Sequence, residues 1–382
     1  MKRKMCFPCT AGRAFAFVLL IVCCGSALSA GRAASTNTAW GKDGPGEFKI
    51  YRGINISHWL SQSGRRGQQR SEYFTAEDVE YLASLGFDHL RLPVDEEQLW
   101  DEAGNKETEA FGLLHSAIGW CRDNQLRVVV DLHILRSHHF NAKDKPLWTD
   151  PAEQERFLQL WRELSAELKQ YPVGLVAYEL MNEPVADDAA DWNRLVARAV
   201  KVIRKTEPRR KIVIGSNKWQ SVNTFDQLEV PEGDRNIILS FHFYNPMLVT
   251  HHQASWTGVG KYKGPVHYPG RLVRDEDMEG LPEDVRRTVG WSNGVYDRER
   301  LESMLEKPLH MAEKTGLPLY CGEWGCIVKA PRQVRLQWYR DMVHILNKHK
   351  IARANWDYKG GFGIKSRDGE PDAELISILV GR

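Results

Sequence analysis

A chain of 382 residues with 42% hydrophobic and 27% charged side chains is ordinary globular material, long enough for one α/β barrel of about 250 residues with insertions or for two smaller domains. Its 52 Lys and Arg nearly balance 50 Asp and Glu; four of the basic residues and none of the acids fall in the first thirty positions, so the remainder carries a net charge of about −2. That leaves no basic footprint for nucleic acid.

The first thirty residues place Lys2, Arg3, Lys4 and Arg13 around an apolar run from Ala14 to Cys24, followed by a small-residue stretch ending at Ala30. Those three zones read as a secretory signal peptide over 1–30, and the apolar run is shorter than the ~20 residues a spanning helix needs. The expectation is a secreted or periplasmic protein with no stable membrane association once the leader is removed. Cys6, Cys9, Cys23 and Cys24 leave with it, and the remaining Cys121, Cys321 and Cys326 are too few and odd in number for a disulfide framework. A Cys321–Cys326 bridge is one option for that pair, buried free thiols the other. Residues 31–47 are small, polar and Gly-rich, a flexible lead-in.

From position 48 short apolar runs alternate with segments of helical period, the signature of parallel βα units. Strands are predicted at 53–57, 88–93, 127–132, 175–180, 211–215, 237–243, 317–322 and 353–356. Between them lie helices at 75–85, opened by Thr75 and Asp78; 107–124; 151–169, opened by Asp150 and Pro151; 189–206; 297–314; and 331–348, with a short one at 373–380. Eight strands without a break in composition predict a single (β/α)8 barrel over 48–382. One connection is abnormal: about fifty residues, 245–296, follow strand six, against the usual 2–6.

Active sites of such barrels sit where the strands end at their C-terminal side. Strand two ends in Arg91-Leu-Pro93, strand three in Asp131-Leu-His133, strand four in Asn182-Glu183-Pro184, strand six in His242-Phe-Tyr244, strand seven in Glu323 and strand eight in Trp356. Two glutamates, Glu183 and Glu323, thus face one pocket from opposite staves, a placement suited to acid and base chemistry. Taken singly, Arg91 could be a structural ion pair, Trp356 core, and His133 and His242 metal ligands. Metal-dependent barrel hydrolases typically carry His-x-His on strand one, where this chain has only His58, so neither metal nor cofactor is expected. The doublets His138-His139 and His251-His252 fall in loops, as solvated side chains or sugar contacts.

The ordered set Arg91, His133, Asn182, Glu183, His242, Tyr244, Glu323 and Trp356, with its Asn-Glu-Pro and Gly-Glu-Trp-Gly segments, resembles glycoside hydrolase family 5, the cellulase-type retaining enzymes of clan A. The similarity runs from about position 48 to the C-terminus. It implies Glu183 as acid/base and Glu323 as nucleophile of a double displacement, Arg91 and Tyr244 holding Glu323, Asn182 on the sugar 2-hydroxyl, and His133, His242 and Trp356 positioning the sugar. The implied substrate is a β-linked polysaccharide, foremost a β-1,4-glucan, with mannan, xyloglucan and β-1,3-glucan on the same scaffold as alternatives, acted on by a monomer. A catalytically silent glycan-binding barrel is the rival from another class. Trp100, Trp148, Trp219, Trp256 and Trp291 are candidate stacking platforms, with Trp219 and Trp256 placed in the site, and the 245–296 connection, which carries His251, Trp256, Tyr262, Tyr268 and Trp291, is expected to set substrate choice by stacking aromatic side chains on sugar.

Overall fold

The computed structural model describes residues 45–365 and 370–381; the expected signal peptide and most of the expected lead-in lie outside them. Eight parallel strands close into a barrel: β1 (Arg52–Asn55), β2 (His89–Asp95), β3 (Arg127–Ile134), β4 (Val176–Glu179), β5 (Ile212–Gly215), β6 (Ile237–Phe243), β9 (Leu319–Trp324) and β10 (Ala352–Asn355). Two short strands inside the long connection, β7 (Gly270–Arg271) and β8 (Val295–Tyr296), pair with each other instead. All eight predicted barrel strands are present.

Helix starts follow the predicted chemistry. Thr75 and Asp78 form a capping box ahead of Ala76–Leu85, and Asp150 accepts from Ala152 N–H ahead of Pro151–Leu168. The predicted helix 297–314 is instead two, Arg298–Ser303 and Glu306–Thr315, broken at Met304 and Leu305. Pro308, two residues into the second helix, cannot supply the N–H that an unbroken helix would need there.

Because side chains alternate across a strand, every second residue points into the barrel. At its N-terminal end that set is apolar: Val129, Ala177, Val213, Ile238, Tyr320 and Ala354 pack with Phe48 and Ile50. Pro45 is already buried, its carbonyl accepting from Arg127 Nη2 at 3.3 Å, so packing begins three residues before position 48.

The 245–296 connection is no bare loop. It contains helix Glu283–Ser292, the β7–β8 ladder and its own buried residues, among them Leu248, Tyr262, Tyr268, Leu272, Val273 and Val289. Among the described residues no helix is long and apolar enough to cross a membrane.

Candidate active site

One step above the apolar layer the same inward positions become polar. Arg91 on β2, fully buried, makes a two-point contact with Glu179 on β4, Nε to Oε2 at 2.7 Å and Nη2 to Oε1 at 3.0 Å. Its Nη2 also lies 3.0 Å from Asp131 Oδ2 on β3 and 2.9 Å from Asn182 Oδ1. Nη1 reaches Asn55 Oδ1 at 2.9 Å and Glu323 Oε1 at 2.7 Å. One guanidinium thus faces three buried carboxylates. Removal of that charge from such a site leaves the acids uncompensated, which gives Arg91 a structural role.

Glu323 is aimed inward by a bulge. Tyr320 faces the barrel interior, so strict alternation would turn Glu323 outward. Both neighbours of β9 change register here, Phe241↔Cys321 being followed by His242↔Glu323 on one side, and Arg353↔Cys321 by Asn355↔Trp324 on the other. The extra residue therefore belongs to β9, and it re-aims the carboxylate at the mouth. Gly322 sits in the bulge, where a Cβ would come within 2.8 Å of Ser240 Oγ.

Glu183 stands beyond the end of β4 in the left-handed region, φ 45°. A non-glycine residue there, and one followed by proline, carries strain of about 1–3 kcal/mol. His242 Nδ1 lies 2.9 Å from Glu183 Oε1 and 3.6 Å from Glu323 Oε2, and Tyr244 donates its hydroxyl to Glu323 Oε2 at 3.0 Å. One carboxylate oxygen each of Glu183 and Glu323 and one ring nitrogen of His242 all lie within 4.8 Å of one another. His133 donates or accepts through Nδ1 with Asp131 Oδ2 at 2.6 Å and stacks on Trp356 with ring centres 5.7 Å apart and planes 7° apart. Asn182 Nδ2, His133 Nε2 and His242 Nε2 are buried and have no hydrogen-bond partner, three polar atoms a bound ligand could satisfy.

The two glutamates differ electrostatically. Burial, then the neighbouring Glu323 charge, pushes Glu183 well above the ordinary carboxylate value. Burial also raises Glu323, but Arg91 and then His133 oppose it. The resemblance implies that Arg91 holds Glu323; that contact is present, and burial outweighs its effect on the carboxyl in the net direction. Burial pushes His133 down to about 3 and, with Arg91, holds His242 well below its usual range, so both rings are neutral. Asp131 is pushed up to about 7, by burial against the pull of Arg91.

All eight rim residues converge on this mouth. The Trp219 side chain is exposed, and its backbone N–H donates to Pro184 O at 3.2 Å, beside the Glu183 turn. Trp256, 60% exposed, lies at the end of an aromatic series: its ring is 6.4 Å from His251 and 6.5 Å from Phe362, both of which contact Tyr244. Other candidates do not belong here. Trp100 is fully buried with Nε1 on Glu163, Trp148 packs on Trp192, and Tyr262 and Tyr268 spend their hydroxyls on Pro265 O and Asp341. His138 is buried and its Nε2 accepts from Val185 N–H at 3.1 Å, a brace for the strand-four loop, whereas its neighbour His139 is exposed. Cys321 and Cys326 are free buried thiols.

Asn55, Asp131, Glu179 and Gln220 complete the site without having been assigned roles from the sequence. Gln220 Oε1 accepts from Glu183 N–H and its Nε2 donates to Glu179 Oε1, each at 3.2 Å. Glu179 had a signal: a charge in the otherwise apolar run 175–181, two positions after the inward-facing Ala177.

A parallel barrel with two carboxylates of unequal acidity at its C-terminal mouth defines a glycosidase-type site. The chain belongs to the cellulase family, glycosyl hydrolase family 5, whose family model matches residues 52–361. It is 33% identical to endoglucanase C of Acetivibrio thermocellus over 86% of this chain and 98% of that one. With cellodextrinase A of Ruminococcus flavefaciens it shares 29% identity over 80% of this chain and 84% of that one. Among solved structures it is similar to Thermotoga maritima Cel5A, in complexes with cellobiose and with mannotriose, at 26% identity and a TM-score of 0.70, covering 86% of this chain and 97% of that one.

Proposed function

We propose that this chain is an exported, monomeric endo-β-1,4-glucanase that retains anomeric configuration, with residues 1–30 removed and 48–382 forming the catalytic domain. The observation that carries the mechanism is the spacing of the two carboxylates: an oxygen of Glu183 lies within 4.8 Å of one of Glu323. Retaining enzymes hold their acids about 5–5.5 Å apart, whereas inverting ones need about 6.5–9.5 Å to admit a water.

In the first step Glu323 attacks the anomeric carbon as the bond to the leaving oxygen breaks, and Glu183 gives that oxygen its proton. The product is a glycosyl ester on Glu323, with Glu183 left as a carboxylate. Glu183 then takes a proton from water, the water oxygen attacks the same carbon, and Glu323 departs. Two inversions restore the starting configuration, and both groups return to their first state. Asn182 Nδ2 serves the 2-hydroxyl, while Arg91 and Tyr244 stabilise Glu323 whenever it carries charge. The two carboxylates supply every proton transfer and the nucleophile, so the route needs no metal or cofactor.

The substrate reading rests on relatives named endoglucanase and cellodextrinase. β-Mannan is the second reading, favoured by the mannotriose complex of a protein 26% identical. Initial rates on carboxymethylcellulose, mixed-linkage glucan, glucomannan, xyloglucan and laminarin test both. Fastest release from the β-1,4-glucans is expected; a clear preference for laminarin or xyloglucan contradicts it, and no release from any contradicts catalysis itself. N-terminal sequencing of exported protein should begin near Ala30 or Gly31.

A further inference from the structure

Lys218, Trp219 and Gln220 are three consecutive non-glycine residues in the left-handed region, φ 55°, 62° and 50°. Single residues visit that region routinely only when they are glycine, asparagine or aspartate, and a run of three others persists only where its surroundings hold it. The run serves to deliver one side chain. Gln220 is fully buried in the space left by Gly215, where a Cβ would come within 2.5 Å of Gln220 Cγ. Its two polar atoms are both used: Oε1 accepts from the backbone N–H of Glu183, and Nε2 donates to Glu179 Oε1. Glu183 is itself left-handed and precedes a proline, so its own backbone does not favour the conformation it holds.

We infer that Gln220 is a positioning residue for Glu183. It clamps the strained Glu183 backbone onto Glu179, and through Glu179 onto Arg91, which also grips Glu323. The chain of contacts, Glu183 N–H to Gln220 to Glu179 to Arg91 to Glu323, ties both glutamates to one buried frame. Only an amide satisfies it, since one end meets a donor and the other a carboxylate. The inference rests on the acid/base role of Glu183 proposed above.

If the clamp is lost, Glu183 is displaced while Glu323 remains held by Arg91 and Tyr244. Proton delivery suffers and nucleophilic attack does not. Gln220→Met, of similar length but without either bond, should lower kcat/KM on cellotetraose by about 10- to 100-fold, the scale of an ångström of misplacement. On 2,4-dinitrophenyl β-cellobioside, whose leaving group needs no proton, the loss should stay under about threefold, and azide should raise kcat by intercepting the glycosyl ester. Gln220→Asn keeps the amide but is one methylene too short to span both partners, and reads the same contrast if the methionine variant does not fold. Equal losses on the two substrates, or no loss on either, overturn the clamp. Glu183→Ala run in parallel separates the two levels: if it shows no leaving-group dependence the acid/base assignment fails, and if it does while the Gln220 variants do not, only the clamp fails.

Discussion

The two ends of the barrel use the same strands and the same alternation to opposite ends. On β3 the inward positions run Val129, Asp131, His133; on β4, Ala177 then Glu179; on β6, Ile238, Ser240, His242. Two residues of rise, about 6.6 Å, separate an apolar plug from a layer holding one arginine and three buried acids. The lower layer contributes by burial, which is non-directional and tolerant of shape changes of similar volume. The upper layer contributes by direction, and its groups are strained, bulged or stripped of partners where the lower ones are regular. Substitutions at the two levels should therefore fail in different ways.

The largest effect is expected at the mouth. Glu323→Ala should lower kcat by about 10⁴-fold or more with little change in melting temperature, because the group removed forms the covalent bond. A comparable fall in melting temperature would instead assign Glu323 to stability. At the lower end Ile238→Ala should do the reverse, costing about 2–4 kcal/mol of unfolding free energy by denaturant titration while kcat/KM of the folded enzyme is kept. A selective loss of activity there would break the division between levels.

Tyr244→Phe sharpens it. Loss of the 3.0 Å hydroxyl donor removes a stabiliser of the ionised Glu323, so the acidic limb of the kcat/KM profile should move to higher pH, with about a 10-fold loss at the optimum. An unmoved limb contradicts the pairing.

The smallest effect concerns Asp131, pushed up to about 7 against an ordinary value of about 3.9. Between those two values the folded protein keeps a proton that the unfolded chain has released, so this group makes stability fall as pH rises from about 4 to about 7. Asp131→Asn cannot titrate, and the slope of unfolding free energy against pH should flatten by up to about one proton. Glu179, Glu183 and Glu323, raised in the same direction, keep the slope from vanishing. An unchanged slope would place the stored proton elsewhere.

How legible this was in the sequence follows from what each feature depends on. The staves were readable because a buried parallel strand is a short apolar run between turn signals, and the rim because its residues end those runs. Gln220 was not, since its role comes from a left-handed turn that no local pattern announces. Tyr262 and Tyr268 looked like sugar platforms because the 245–296 connection looked like a loop, and the lobe it forms buries them. His138 read as a solvated side chain or a sugar contact because its partner, Val185 N–H, is 47 residues away.

The central claim, that Glu323 attacks while Glu183 shuttles the proton, is tested most directly by the anomer of the azide product. With an activated β-cellobioside, Glu323→Ala should yield the α-glycosyl azide, because azide replaces the missing nucleophile in a single inversion. Glu183→Ala should yield the β-azide, because azide there meets an intact glycosyl ester. Swapped anomers would exchange the two roles, and α-azide from both variants would contradict the double displacement altogether.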